Sequence, residues 1–431
     1  MAGISYVLAH TEDARRVSTR RLTYAALALV AAFLCFIVLP KPAVAANYPV
    51  TISATTFPDE AFRQYVINNI TGGSMTLTQT RAEAVSYIGV ISRGVNTLRG
   101  IEFFPNLKTL DCDNNNLTAL DLSKNTALTL LACQNNNLAS LDVSKNIALG
   151  QLACSNNNLT SLDLSKNTAL TYLSCENNNL ASLNISKNIA LRHLICSSNN
   201  LTALDVSKNT ALMYLFCGNN KLTSLDVSRN TVLTSLFCYD NNLTALDLSK
   251  NTALTEFNCS NNNLTSLDVS KNTALDYLFC RNNNLTSLDV SKNTALRTLS
   301  CYGNSLIELD LSKNPNLRTD VFLAIAQTRT IPLIPDPASP GSYMSKDTYT
   351  FAAGHSITVA SATYRTDTKR FYTSTPNKAL TFTTNIGSGR TVSGTVTFTD
   401  TTAPKLTANT GTRSATATGI AKFTSDEAGT Y

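Results

Sequence analysis

The sequence predicts a solenoid, in which one structural unit repeats along the chain and each copy stacks on the next. Three observations predict it, and the first is a period of 21 residues that runs from Leu107 to Leu317. The second is a file of cysteines at that spacing: Cys112, Cys133, Cys154, Cys175, Cys196, Cys217, Cys238, Cys259, Cys280 and Cys301. The third is an asparagine three residues after each: Asn115, Asn136, Asn157, Asn178, Asn199, Asn220, Asn241, Asn262, Asn283 and Asn304.

The repeat itself points to a known type of solenoid. One unit, Leu128–Ala148, reads LTLLACQNNNLASLDVSKNIA. The segment Leu107–Leu117 fits the pattern L-x-x-L-x-L-x-x-N-x-L, with cysteine in the third leucine position, so the repeats resemble leucine-rich repeats. This resemblance implies a right-handed solenoid with a parallel β-sheet on its concave face and turns or 3₁₀ segments on its convex back.

Elementary packing accounts for the residue types in one unit. A single coil of this length cannot bury its own apolar side chains, so neighbouring coils have to stack. Because side chains alternate across a strand, we expect Leu131 and Cys133 to point inward. We expect Leu130, Ala132 and Gln134 to point outward on the concave face.

The asparagine and cysteine files are interpreted as structural. A buried amide needs partners for its donors and acceptor, and each asparagine can bond the backbone of the adjacent coil. In a parallel stack the cysteines lie about 4.8 Å apart with parallel side chains, which does not suit a disulfide, so free thiols are predicted. A linear file also cannot surround one metal ion, and neither a metal nor a cofactor is expected.

Two alternative readings of the repeat carry less weight. Asn116-Leu117-Thr118 and its equivalents are glycosylation sequons, but they lie against core leucine positions. The back of each coil, exemplified by Leu120–Ala127, contains a D-x-S-x-N string that lacks the glycine and glutamate of a calcium loop. The aspartate and lysine files of the back are therefore interpreted as a solvated, charge-balanced face.

Residues 1–46 are predicted to be an export signal. A basic stretch ends at Arg21, an apolar run spans Leu22–Leu39, and Ala43-Val44-Ala45 is a small-residue cleavage site. An uncleaved membrane anchor is the alternative. Since the segment carries five basic and two acidic residues, it accounts for three of the six excess positive charges, and the remainder is nearly neutral. Nucleic acid is therefore not an expected partner.

The repeat array, residues 107–317, is flanked by two predicted regions. Residues 47–106 are expected to form an amino-terminal cap with a short amphipathic helix around Phe57–Val66. This region resembles the caps of bacterial internalin-like surface proteins. Residues 318–342 are predicted as a carboxyl-terminal cap and linker, residues 343–400 as a β-rich Ig-like sandwich, and residues 401–431 as the start of a truncated Ig-like module.

The outward strand positions differ from coil to coil, whereas the back is nearly constant. They place a cluster of aromatic and apolar residues on the concave face of the fourth to tenth coils, where we expect the rings to face solvent. Large side chains at such positions gain burial from a partner, which indicates a binding surface. The predicted ligand-binding residues are Tyr172, His193, Ile195, Tyr214, Phe216, Phe237, Tyr239, Tyr277, Phe279, Arg281 and Tyr302. The alternative is that the rings only shield neighbouring coils.

These features favour an exported or cell-surface recognition protein that binds a protein of a host or neighbouring cell. A glycan is the second partner class, and a membrane contact is expected only through the signal segment or an anchor outside this sequence. A substrate-targeting region of an exported enzyme is the alternative function. Catalysis by the chain itself is not expected, because His10, His193 and His355 are its only histidines and none lies in a nucleophile or metal motif.

Overall fold

The computed structural model describes residues 47–306, 309–311 and 313–317, together with the backbone of strands between Gln327 and Ser425. The predicted export signal lies outside the described residues. The chain divides into two compact units, Met1–Tyr302 with Lys313–Leu323, and Gly303–Ser312 with Ala324–Tyr431. In the described part, no helix is both long and apolar enough to cross a membrane.

The first unit begins with short elements. These are β1 (Val50–Thr51), α1 (Glu60–Tyr65), a π-helical turn (Val66–Ile70), β2 (Thr76–Leu77), α2 (Gln79–Ala84), β3 (Tyr87–Gly89) and a 3₁₀ turn (Ile101–Phe103).

The predicted amphipathic helix is present and begins at Glu60. Asp59 caps it, because its Oδ1 accepts a hydrogen bond from the Phe62 backbone nitrogen at 3.0 Å. Phe62 and Val66 are fully buried, and the ring of Phe57 packs edge-on against that of Phe62 at 5.7 Å. The apolar face predicted from the sequence is therefore the buried face.

Eleven parallel strands form one sheet in chain order from β3 to β13. After β3 they are β4 (Thr109–Asp111), β5 (Leu130–Ala132), β6 (Gln151–Ala153), β7 (Tyr172–Ser174), β8 (His193–Ile195), β9 (Tyr214–Phe216), β10 (Ser235–Phe237), β11 (Glu256–Asn258), β12 (Tyr277–Phe279) and β13 (Thr298–Ser300). From β4 onward each residue pairs with the residue 21 positions later, as Leu215 does with Leu236.

The sheet starts one strand earlier than the boundary predicted at residue 107. Strand β3 pairs with β4 in the same register, with Ile88 beside Leu110. This pair is 22 residues apart rather than 21, and Val90 occupies the cysteine position. The extra residue and the missing cysteine conceal this coil from a search for the exact period.

The inward positions follow the predicted alternation. Leu131 and Cys133 are fully buried, whereas Leu130, Ala132 and Gln134 are half-buried on the outward side. All ten cysteines of the array are buried and free, as predicted. Burial raises the pKa of every one of these thiols, to about 12 for Cys217, so they remain protonated and chemically quiet.

The predicted asparagine file bonds adjacent coils. Asn262 is representative, because its Nδ2 donates to the carbonyl oxygens of Cys238, Cys259 and Ser260 at 3.0, 3.0 and 3.2 Å. Its Oδ1 accepts a hydrogen bond from the Leu243 backbone nitrogen at 3.0 Å. One amide therefore satisfies backbone groups in two coils.

Two further asparagine files were not predicted. The first is fully buried beneath the back, where the Nδ2 of Asn146 donates to the carbonyl oxygens of Leu122 and Asn125 at 3.1 and 2.9 Å. The second lies two residues after seven of the ten cysteines, where Asn156, for example, has a φ of 54°. Asparagine tolerates this left-handed region better than most residues, which explains its recurrence there.

The second unit contains β14 (Gln327–Pro335), β15 (Tyr343–Ser345), β16 (Ser356–Val359), β17 (Ala362–Arg365), β18 (Arg370–Thr373), β19 (Ala379–Asn385), β20 (Thr391–Asp400), β21 (Leu406–Ala408) and β22 (Phe423–Ser425). The first seven close into a barrel in the order β14-β15-β18-β17-β16-β19-β20, which differs from the predicted two-sheet sandwich.

Strand β14 also corrects the predicted linker at residues 318–342. Its prolines indicated an irregular segment, yet it pairs in parallel with β20 from Gln327 beside Gly394 to Leu333 beside Asp400. Threonine and isoleucine suit strands, so the β preference of the run outweighs the missing proline donors. A parallel pairing between distant segments cannot be read from local sequence.

Candidate functional site: the front of the sheet

The candidate site is the front of the sheet, which we define as the outward side chains of β4–β13 and the residue after each cysteine. The middle residue of each strand is buried, so the first and third residues lie on the front, as Tyr214 and Phe216 do around Leu215. All eleven predicted ligand-binding residues occupy front positions: Tyr172, His193, Ile195, Tyr214, Phe216, Phe237, Tyr239, Tyr277, Phe279, Arg281 and Tyr302.

A stack of three rings crosses strands β7 to β9. The ring centroids of Tyr172 and His193 are 5.9 Å apart, and those of His193 and Tyr214 are 4.6 Å apart with nearly parallel planes. This spacing follows from in-register strands, whose equivalent residues lie about 4.8 Å apart. Desolvation and the charge of Arg192 lower the pKa of His193, which favours the neutral ring in this stack.

An apolar row runs beside the stack. Ile195, Phe216 and Phe237 follow one another in successive strands, and the Phe216 and Phe237 rings meet edge to face at 4.5 Å. Asn258 interrupts the row before Phe279. The row and the stack together give strands β7 to β10 a continuous surface of rings and aliphatic carbon.

A cation lies at the far end of the front. The Nη1 of Arg281 donates to the Tyr302 hydroxyl at 2.7 Å, and the guanidinium carbon is 5.5 Å from the centre of that ring. This geometry combines a hydrogen bond with a cation–π contact. Arg281 is thereby held flat on the front, beside Tyr277 and Phe279 of β12.

The rings are less exposed than the sequence predicted. Among the described residues, every predicted aromatic side chain of the front is half-buried, and several of the rings pack on one another. Burial raises the pKa of both Tyr172 and Tyr239 to about 12. The front is therefore a pre-packed aromatic surface rather than a set of freely solvated rings, and packing of this kind limits the side-chain entropy lost on binding.

Glu176 and Gly218 are front residues that sequence reasoning did not place in the site. Glu176 is 2% exposed, and its burial raises the pKa of its carboxyl group to about 7. A Cβ atom added to Gly218 would lie 2.6 Å from the ring of Tyr239, so glycine allows that ring to lie across the preceding coil. In the sequence, the only sign of this arrangement was Gly218, a small residue two coils after Glu176 at the equivalent position of the repeat.

The back of the array shows the opposite chemistry. Asp205 is representative of its file, because its Oδ1 accepts a hydrogen bond from the Ser207 backbone nitrogen at 2.8 Å. The hydroxyl and the backbone N–H of Ser207 both lower the pKa of Asp205, which is fully exposed. The aspartates therefore cap turns within their own coils, as the predicted solvated face requires.

The acidic, histidine and cysteine side chains of the described residues are distributed along the array rather than gathered at one point. Within residues 47–306, 309–311 and 313–317, no three or more side chains of histidine, cysteine, aspartate or glutamate come together as metal ligands. Asp111 ends β4, and Asp113 follows it on the front. Asp113 has a structural role, since its Oδ1 accepts a hydrogen bond from the Gln134 backbone nitrogen at 2.7 Å.

Comparison with known proteins agrees with this architecture. The family profile of the leucine-rich repeat matches residues 155–173 and 218–235. The functional domain of InlJ from Listeria monocytogenes, which includes a cysteine ladder, is 29% identical over 81% of this chain and 98% of its own length, with a TM-score of 0.55. The chain contains leucine-rich repeats and resembles Listeria internalins in structure.

A second internalin shows the same fold at lower identity. The InlF structure of Listeria monocytogenes is 23% identical over 61% of this chain and 87% of its own length, with a TM-score of 0.53. A comparison with curated proteins finds no similar sequence. The cysteine ladder of the InlJ domain has a counterpart in the buried cysteine file of this chain.

Proposed function

We propose that the protein is a recognition module that binds a protein ligand through the front of its repeat sheet. One observation carries this proposal: the front of strands β7 to β12 gathers apolar and aromatic side chains that differ from coil to coil, while the back stays nearly constant. A purely structural role would place similar residues at equivalent positions, because every coil has the same neighbours. Variation confined to one face fits selection for a partner.

The similarity to internalins supports a location outside the cell. An exported or cell-surface protein agrees with the predicted signal at residues 1–46, and adhesion to a host or neighbouring cell is the role we assign to it. Internalin-like repeats without catalytic clusters favour a non-enzymatic function. A targeting region of an exported enzyme is the alternative.

The test is a front variant of the full chain in which Tyr214, Phe216, Phe237 and Phe279 are all changed to serine. Binding of labelled protein to an array of cell-surface proteins is compared with that of the unchanged chain. We expect the variant to lose at least about 100-fold in affinity, since such residues contribute about 2 kcal/mol or more each at hot spots. Circular dichroism and the urea midpoint establish that the solenoid is still folded.

Two results would contradict the proposal. Unchanged affinity of the folded front variant for the protein ligand would exclude the aromatic surface. Binding to a glycan array, without binding to proteins, would favour a carbohydrate-binding role, for which Tyr172 and Tyr214 provide stacking rings.

A further inference from the structure

An acidic side chain is buried on the front without a partner. Glu176 follows the inward Cys175 and so begins on the outward side, yet only 2% of it is exposed. The structure gives its carboxylate no hydrogen bond and no ion pair to any described residue. An isolated carboxylate in such surroundings is unfavourable when charged, because burial removes its hydration.

The neighbouring residues of the same file are small. Ser155 lies one coil before Glu176, Ser197 one coil after it, and Gly218 two coils after it. Both serines are buried, and the Ser197 hydroxyl has no hydrogen-bond partner among the described residues. Small residues at these positions leave room for rings of neighbouring coils to lie over them, as the Tyr239 ring lies over Gly218.

Two tyrosines lie near Glu176, one in its own coil and the other three coils later. The phenol of Tyr172 is close to the Ser174 hydroxyl, and the phenol of Tyr239 is close to the Ser197 hydroxyl. The charge of Glu176 raises the pKa of both phenols, so its carboxylate is near both rings. Because Gly218 has no Cβ atom, the Tyr239 ring can lie across the coil that contains Gly218.

Aromatic faces and an unpaired carboxylate are the groups that recognise an organic cation. Rings attract a cation through their negative faces, and a carboxylate forms charge-assisted hydrogen bonds with a guanidinium or ammonium group. We propose that Glu176, flanked by Tyr172 and Tyr239, is an acidic subsite that accepts a basic side chain of the protein ligand. This subsite rests on the proposed function of the front and specifies the chemistry of one ligand residue.

The titratable groups around Glu176 allow a proton to be exchanged on binding. The thiols of Cys175 and Cys196 and the phenols of Tyr172 and Tyr239 have raised pKa values, so all four stay neutral between pH 5 and pH 8.

The remaining charged groups near the subsite are acids, since Asp113 raises the pKa of Tyr172 and Asp240 that of Tyr239. With its pKa near 7, the free carboxyl group is partly protonated at neutral pH. A bound cation favours the carboxylate, so that group releases its proton to the buffer as the ion pair forms.

The test uses the full chain with a small probe, N-acetyl-arginine amide, and its neutral analogue, N-acetyl-citrulline amide. Glutamate carboxyl carbons are labelled, and the Glu176 resonance is assigned as the signal missing from Glu176→Gln. We expect saturating arginine probe to lower the titration midpoint of Glu176 by at least about one pH unit, while the citrulline probe leaves it unchanged.

Glu176→Gln is expected to bind the arginine probe at least about tenfold more weakly. The matched control is Glu256→Gln, which removes another front acid, one whose Oε2 accepts a hydrogen bond from the Ser235 hydroxyl at 3.0 Å. That variant is expected to bind the probe as the unchanged chain does.

Three results would overturn the acidic subsite: equal binding of the citrulline probe, unchanged binding by Glu176→Gln, or an unmoved Glu176 midpoint. None of them bears on the aromatic front variant, whose loss of protein binding tests the proposed function separately. Conversely, a front variant that keeps its protein ligand would contradict the proposed function even where the arginine probe still shifts Glu176.

Discussion

The front and the back of the array are built from the same 21-residue unit, yet they follow different rules. On the back, the aspartates bond within their own coils, as Asp205 does at Ser207, and the Nδ2 of each buried asparagine donates to the coil before, as that of Asn146 does at Leu122. The Oδ1 atoms of these buried asparagines accept no hydrogen bond from a described residue. On the front, neighbours such as Glu176 and Ser197 lack hydrogen-bond partners among the described residues. The two faces therefore differ in the kind of buried group that lacks a partner: beneath the back it is a neutral amide oxygen, and on the front it is the ionisable carboxyl group of Glu176.

The interior file beneath the front provides the largest expected effect on stability. Asn262→Ala removes the partner of one buried N–H and three carbonyl oxygens, so we expect the free energy of unfolding to fall by about 4 kcal/mol. Urea denaturation measures the loss. Asn263→Ala, at the exposed adjacent position, is the control and should change stability by less than about 0.5 kcal/mol. Equal losses of stability in the two variants would show that the buried amide of Asn262 contributes no more than the exposed amide of Asn263.

The buried carboxyl group of Glu176 on the front should make the stability of the protein depend on pH. Its pKa is about 7 in the folded chain against 4.5 for an unperturbed glutamate, so the folded state holds the proton over a range in which the unfolded state has released it. The contribution of Glu176 to the free energy of unfolding is therefore greatest below pH 4.5, declines as the pH rises to about 7, and is then constant.

Glu176→Gln stays neutral at every pH and should lack this decline. Relative to the unchanged chain it should gain about 3 kcal/mol between pH 4 and pH 8. Urea midpoints at both pH values measure the gain. The exposed acid Glu60, changed to glutamine, reports the general effect of removing one negative charge. A Glu176→Gln gain no larger than that of Glu60→Gln would show that the carboxyl group is not held neutral.

The turn between front and core offers a smaller effect. Ser198 has a φ of 54° at a position where most coils have asparagine. Ser198→Asn should raise the free energy of unfolding by about 0.5 kcal/mol, and Ser198→Val should lower it by about 1 kcal/mol, because a β-branched residue fits the left-handed region poorly. Thermal melts of the two variants decide between this account and one in which the turn tolerates any residue.

The back should respond least. Asn184 already replaces aspartate in one coil, and its Oδ1 accepts the same hydrogen bond from the Ser186 backbone nitrogen at 3.1 Å. Asp205→Asn should therefore leave the melting temperature and ligand binding unchanged. A clear loss in either measurement would mean that the charge of the back, and not only its turn geometry, contributes to the protein.

The periodic part of the fold could be predicted because each residue of the array packs on its own equivalent one coil away. Cys112 to Cys301, the asparagine file and the alternation of Leu131 with Leu130 follow directly from that symmetry. The coil around Ile88 was missed because its spacing is 22 residues. The buried Asn146 file was missed because a Ser-Lys-Asn turn has the composition of an exposed segment.

The candidate site was predictable in outline only. Alternation places Tyr214 and Phe216 on the front, but it does not reveal how far neighbouring rings cover one another. Tyr239, three coils after Glu176, lies back over Gly218 and comes near that carboxyl group. Such contacts depend on side-chain directions across several coils, which no periodic pattern in the sequence specifies.

The proposed function requires that the protein ligand contacts the front of the array and not the back. The most direct measurement places a photo-crosslinking amino acid at one of two positions in the same coil of the full chain, replacing either Asn258 on the front or the exposed Lys271 on the back. Each variant is irradiated with the cell-surface protein ligand. We expect a crosslinked product from position 258 and none from position 271. Crosslinking from position 271 alone, or equally from both positions, would show that the ligand does not bind through the front.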